Sequence, residues 1–145
     1  MKREHPSIWT GLALAAALAA GAAGAQEAAE PATLLGTSVI AQGVENKAPF
    51  EPAWKFPASV GSLVCWTEVK AAEAPTTIVF LWRHKDRDVY RSVQPVKRIP
   101  WRTWSRKDIP PSASGPWSVE IQDEKGAVLK TLGFMIEPAS RPADR

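Results

Sequence analysis

WSVEIQDEKGAVLKTLGFMI, residues 117–136, is the stretch that decides the fold. Trp117, Val119 and Ile121 alternate with Ser118, Glu120 and Gln122. A strand points successive side chains to opposite faces, so this period of two marks a strand with one face buried. Asp123-Glu124-Lys125-Gly126 follows, a polar run ending in glycine and suited to a turn. Leu132, Phe134 and Ile136 then alternate with Thr131, Gly133 and Met135. Two alternating runs joined by a glycine-containing turn predict a β-hairpin.

Working back from the hairpin, the apolar runs stay short and are bounded by proline, glycine or charge. Strands are predicted over 37–44, 62–70, 76–83, 89–96 and 101–107. The third, TTIVFLWR, is rich in the β-branched and aromatic types that fit a pleated sheet. Residues 46–57 carry three prolines and are predicted as a loop, with Phe50 and Trp54 tucked onto the core. Residues 84–88 form a charged turn, and 109–116 (IPPSASGP) a loop. Past residue 26 no window holds capped apolar residues at helical spacing, and there is no internal repeat. The predicted fold is all-β, an immunoglobulin-like antiparallel β-sandwich of about seven short strands.

The predicted sandwich occupies residues 37–137. Residues 26–36 are rich in Ala, Glu and Pro and are predicted as a flexible leader, and 138–145 as a disordered tail. The first 25 residues have another character. Lys2 and Arg3 precede an apolar run from Gly11 to Ala23, and Ala23-Gly24-Ala25 is a small-residue cleavage site. That order predicts a secretory signal peptide cut near Ala25. The mature chain is then periplasmic or secreted and does not span a membrane, since the apolar run falls short of the roughly 20 residues a span needs.

Removing that leader lowers the formal net charge from +3 to about +2. This is too weak for a general nucleic-acid binder. The charge is uneven, however. Residues 83–108 hold nine basic side chains against three acidic ones, an excess of six positive charges. A lone cysteine, Cys65, cannot close an internal disulfide, so the fold rests on its apolar core. Within Leu63-Val64-Cys65-Trp66 it is expected to be a small buried hydrophobe.

Several strings taken together resemble the bacterial family called domain of unknown function 2914. They are Cys65-Trp66-Thr67-Glu68-Val69, Trp82, Val89 to Val93, Trp101-Arg102-Thr103-Trp104-Ser105, and Gly115-Pro116-Trp117-Ser118-Val119-Glu120-Ile121 with Asp123, Gly126, Leu129 and Phe134. The likeness covers roughly residues 60–137, and Trp-Arg-Thr-Trp-Ser is its most specific piece. The turn His84-Lys85-Asp86-Arg87-Asp88 departs from it in lacking a glycine. The resemblance implies an exported β domain and supplies no reaction.

The residues themselves exclude much chemistry. Past residue 25 there is one histidine, His84, and one cysteine. Structural zinc takes four Cys or His ligands and catalytic zinc usually three protein ligands, so no metal or cofactor is expected. A Ser–His–Asp triad would need His84 as its base, on a turn crowded with Lys85 and Arg87. There, a solvated side chain is the expectation. Ser-x-x-Lys, a glycine-rich phosphate loop and His-Glu-x-x-His are all missing. Carboxylate chemistry stays open through Glu68, Asp86, Asp88, Asp108 and Glu120, as does weak Ca²⁺ binding by Asp86 and Asp88.

What stands out is tryptophan beside arginine. Six tryptophans follow residue 25. Trp66, Trp82 and Trp117 lie in runs of apolar residues and are assigned to the core. The face that Trp66 takes is left open, because Leu63/Cys65/Val69 and Val64/Trp66 are both apolar sets. In 101–107 the alternation puts Trp101 and Thr103 on one side and Arg102, Trp104 and Arg106 on the other. Trp104 then lies between two guanidinium groups, which can stack on its face. Arg91 shares the parity of Val89 and Val93. Arg91, Trp101, Arg102, Trp104 and Arg106 are the candidate ligand residues. Indoles stack on sugar rings, and arginine forks onto carboxylates and phosphates. The function expected is a non-catalytic binding module of the cell envelope, docking on a protein or an anionic envelope polymer. The alternatives are a carboxylate-pair enzyme acting on a glycan, using Glu68 or Asp108, and a purely structural domain.

Overall fold

The computed structural model of the chain describes residues 33–140. The predicted signal peptide, the leader up to residue 32 and residues 141–145 lie outside the described residues. The described chain is all-β and contains no helix. Its strands are β1 (Leu34–Glu45), β2 (Ala48–Pro52), β3 (Lys55–Phe56), β4 (Ser62–Ala71), β5 (Thr76–His84), β6 (Arg87–Val96), β7 (Trp101–Asp108), β8 (Gly115–Gln122) and β9 (Val128–Ile136). They form a four-stranded sheet, β2-β1-β4-β7, and a five-stranded sheet, β3-β9-β8-β5-β6. Every pairing is antiparallel except the short parallel one of β3 with β9.

The hairpin of residues 117–136 forms as its alternation predicts. Trp117, Val119 and Ile121 of β8 are buried, as are Phe134 and Ile136 of β9. Its turn is held by the Asp123 carboxylate, whose Oδ1 accepts from the amides of Lys125 and Ala127 at 2.9 Å each. Gly126 takes the left-handed backbone (φ 89°) that closes it.

Both sheets contribute to one core. From the four-stranded sheet come Ile40, Leu63, Cys65 and Val69, and from the five-stranded sheet Ile78, Phe80, Trp82, Val119 and Ile121. Phe134 is an aromatic hub. Phe56 and Trp82 each meet it edge-on at 6.1 Å, and Trp117 stacks on it at 5.8 Å. Trp82 is wholly buried, yet its indole N–H has a partner: it donates to Ser105 Oγ of β7, 3.0 Å away in the opposite sheet. Thr103 and Ser105 are thus the buried, inward side of Trp-Arg-Thr-Trp-Ser.

Several expectations are corrected. Residues 46–57 are not one loop but contain β2 and β3. Proline is tolerated there because β2 is an edge strand, where a missing amide breaks no ladder. Asn46 and Lys47, both at positive φ, close β1 onto β2 as a two-residue turn. Phe50 and Trp54 are exposed rather than tucked inward, at 43% and 69%. The backbone of 53–54 bridges the sheets, Ala53 N to Ile40 O and Met135 N to Trp54 O, and Phe56 is the side chain it turns into the core. The first strand begins at Leu34, inside the predicted leader, and the described residues hold nine strands where about seven are expected.

The glycine-free turn has a physical explanation. Lys85 and Asp86 sit at φ 52° and 66°, the two-residue geometry that matches strand twist, and His84 pairs with Arg87 across it. Lysine gains nothing from that conformation. Replacing Lys85-Asp86 with Asn-Gly should raise stability by roughly 1 kcal/mol, measured by urea unfolding. A loss of stability would contradict the turn geometry. Ser105→Ala, which leaves a buried indole N–H unpaired, should cost about 1–3 kcal/mol in the same assay. No change would mean that the bond across the core contributes nothing.

Candidate functional site

The alternation along β7 sets the site. Thr103 and Ser105 point inward, so Arg102, Trp104 and Arg106 occupy the outer face of the four-stranded sheet, as predicted. β4 runs beside them. Its inward row is Leu63, Cys65 and Val69, which leaves Trp66 on the outer face, directly across from Trp104. Trp66 is nonetheless only 4% exposed. The β1–β2 hairpin tip comes to it, and the Lys47 carbonyl accepts its indole N–H at 3.0 Å. Trp66 is therefore buried outside the main core, whereas Trp82 and Trp117 are in it.

Beside this contact lies a cleft of about 430 Å³ lined by Lys47, Glu68, Arg98, Pro100, Trp101, Arg102 and Trp104. Four structural pieces build it: the hairpin tip, β4, β7 and the 97–100 connection from β6. Arg98 lies over the Trp101 ring at 5.5 Å from its centroid. Trp101 itself packs, half-buried, against the rim of the core. Glu68 and Arg102 are register partners on neighbouring strands. Among the described residues the only ion pairs belong to Arg83, so Lys47, Arg98 and Arg102 are in none.

The cleft thus gathers Trp101, Arg102 and Trp104 of the five candidates. The other two lie elsewhere. Arg91 is on β6, in the other sheet, where its row Val89, Arg91, Val93 is exposed. The chain changes sheets between Val96 and Trp101, which separates residues close in sequence. Arg106 turns the other way along β7 and donates to Ser62 Oγ at 3.3 Å. The predicted stacking of arginine on Trp104 is not formed. Arg106 is drawn instead to Ser62, and the cation over an indole at this cleft is Arg98 on Trp101. Sequence reasoning missed Arg98 and Lys47 as site residues. Asn46-Lys47 as a two-residue turn was the one signal available for Lys47.

The carboxylates are dispersed. Glu68 pairs with Arg102 at one end of β4, and Asp108 pairs with Ser62 at the other. Asp88 and Glu120 share one partner, Arg83, which holds them at 2.7 and 2.9 Å. The Asp88 hydrogen bond, with the Glu120 charge, raises the Arg83 guanidinium above its ordinary value. No cluster of three or more metal-ligating side chains occurs among the described residues. His84 is not a solvated turn residue. It stacks on Trp117 at 4.6 Å, and its Nε2 donates to the Ser114 carbonyl at 2.7 Å.

The class defined by fold and site is an all-β domain with a basic, indole-lined cleft. Residues 75–136 match the family model described as "Protein of unknown function (DUF2914)", the family the sequence resembles. The match spans β5 to β9, including Trp82 and Trp101 to Ser105, while the Cys65–Val69 string of β4 lies outside it. No curated protein matches the chain. No helix among the described residues is long and apolar enough to cross a membrane.

Cys65 is buried and free, and desolvation pushes its thiol well above the ordinary cysteine value. It should not react with a disulfide reagent such as DTNB in the native protein and should react once the chain is unfolded. Rapid native labelling would contradict its place in the core.

Proposed function

We propose that this chain is an exported, non-catalytic binding module of a bacterial cell envelope that takes an anionic partner in the Arg98–Arg102 cleft. One observation carries the reading: three cations and two indoles surround the cleft against one carboxylate, and none of the three is held by an ion pair among the described residues. Arginine's planar fork suits carboxylates and phosphates, and the indoles add area at small entropic cost. Export rests on the N-terminal charge, apolar run and cleavage pattern of the sequence.

The fold that goes with this role is an immunoglobulin-like sandwich. In that fold two antiparallel sheets carry the first, second, fifth and fourth strands on one side and the third, sixth and seventh on the other. With β2 and β3 as additions, β1-β4-β7 follow the order of the first, second and fifth strands and β9-β8-β5 that of the seventh, sixth and third, whereas β6, the fourth, joins the second sheet instead of the first. The wholly buried Trp82 on β5 sits on the strand where that fold places its core tryptophan. The fold by itself implies no partner.

Titration with polygalacturonate at low ionic strength, followed by tryptophan fluorescence, tests the cleft. Wild type should bind saturably, with affinity falling as salt is added. Changing Arg98 and Arg102 together to serine should weaken binding at least tenfold. Arg91→Ser, on the other sheet, should leave it unchanged. Equal binding by wild type and the double variant would contradict the assignment.

A further inference from the structure

We infer that the free edge of β7 is a docking site for an acidic, extended segment of a partner protein, which adds to the four-stranded sheet as a further, antiparallel strand. The inference rests on the basic-face reading above and names the partner's chemistry.

Each sheet has two edges, and they differ. β2 carries Pro49 and Pro52 and has Glu51 at φ 54°. β3 is two residues long. β6 carries Pro95, and its pairing with β5 is broken by a register shift at Trp82/Arg83. Prolines, short strands, irregular register and charged side chains are the usual means of keeping an edge from pairing. β7 has only the last, in Arg102, Arg106 and Lys107 with Asp108, a mainly basic set that repels a like-charged strand and leaves an acidic one able to pair. Its eight residues contain no proline, and its register with β4 runs unbroken from Ser62↔Asp108 to Val69↔Trp101.

The direction of its backbone groups follows from one bond. Ile109 N donates to Gly61 O at 2.8 Å, immediately beyond the end of the ladder. Antiparallel pairs alternate between residues that exchange hydrogen bonds and residues that do not. Counting back in register, Lys107, Ser105, Thr103 and Trp101 face β4. The N–H and C=O groups of Arg102, Trp104 and Arg106 therefore point away from the sheet, and among the described residues no strand pairs with that edge.

The same three residues put their side chains on the outer face. An added strand would lay its own alternate side chains beside them, since directly opposed residues are close neighbours. Acidic residues suit the positions opposite Arg102 and Arg106, and an aromatic or apolar one suits Trp104. The intervening side chains would turn toward β6, where two clefts await them. One, of about 250 Å³, lies between Gln94-Pro95 and the 101–104 stretch. The other, of about 340 Å³, lies between Tyr90 and the end of β7. The basic residues also discourage β7 of a second copy, because like charges would then face one another. The partner pattern is acid-x-aromatic-x-acid in an extended segment.

The test uses the full chain and a fluorescent decapeptide centred on Glu-Thr-Phe-Thr-Glu. Binding should be saturable, and Arg102→Glu with Arg106→Glu should weaken it at least tenfold. The deciding comparison needs no protein variant. N-methylation of the Glu, Phe and Glu amides, which face β7 in the added strand, should weaken binding at least tenfold. N-methylation of the two Thr amides, which face away, should cost much less. If both methylated peptides bind like the parent, strand addition is wrong and the basic-face reading survives. If the peptide fails to bind while polygalacturonate binds through Arg98 and Arg102, strand addition is again wrong and the cleft stands. If neither probe binds, both readings fall.

Discussion

The bond from the Trp82 indole to the Ser105 hydroxyl is the constraint on which the rest of the structure depends. It joins β5 to β7 across the core, so it ties the two sheets together at a buried point. An unpaired N–H there would be costly, because burial takes it out of bulk water. Meeting that demand places Ser105, and with it Thr103, on the inner face of β7. Because strand side chains alternate, the same choice sends Arg102, Trp104 and Arg106 outward. The basic face is thus the obligatory reverse of a core contact.

Much of this was legible in the sequence for a simple reason. Period-two burial is a local signal, and β8 shows it from Trp117 to Ile121 and β9 from Leu132 to Ile136. The parity within 101–107 was equally readable, because nothing but alternation is needed to separate Thr103 from Trp104. The β1–β2 hairpin was harder to see. Its prolines look like loop residues until β2 is known to be an edge, and that is a property of sheet order rather than of the segment itself. Trp66 was ambiguous because both faces of β4 are apolar. Its outer face is buried by a hairpin tip that arrives from a distant stretch of chain.

The cleft was only half visible for a related reason. Trp101, Arg102 and Trp104 are adjacent in sequence, but Lys47 and Glu68 reach them through sheet pairing and a hairpin tip. Arg91 shows the opposite effect. It lies ten residues before Trp101, yet the chain crosses between sheets in that interval and puts it on a different surface. Charge counted along the sequence therefore overstated the local density of the site. The stacking partner of an indole was likewise Arg98 of the connecting loop rather than an arginine on the same strand.

Amide hydrogen exchange along β7, read residue by residue by NMR, tests the account most directly. The amides of Thr103, Ser105 and Lys107 should exchange slowly, because they bond to β4, and those of Arg102, Trp104 and Arg106 should exchange rapidly from an open edge. The pattern should alternate at every residue, and the slow set should share the protection of β4. Uniform protection throughout β7 would mean that its edge is already covered, and uniform rapid exchange would mean that the strand is not pinned to the core through Ser105. Either result would contradict the arrangement on which the fold and the site are built.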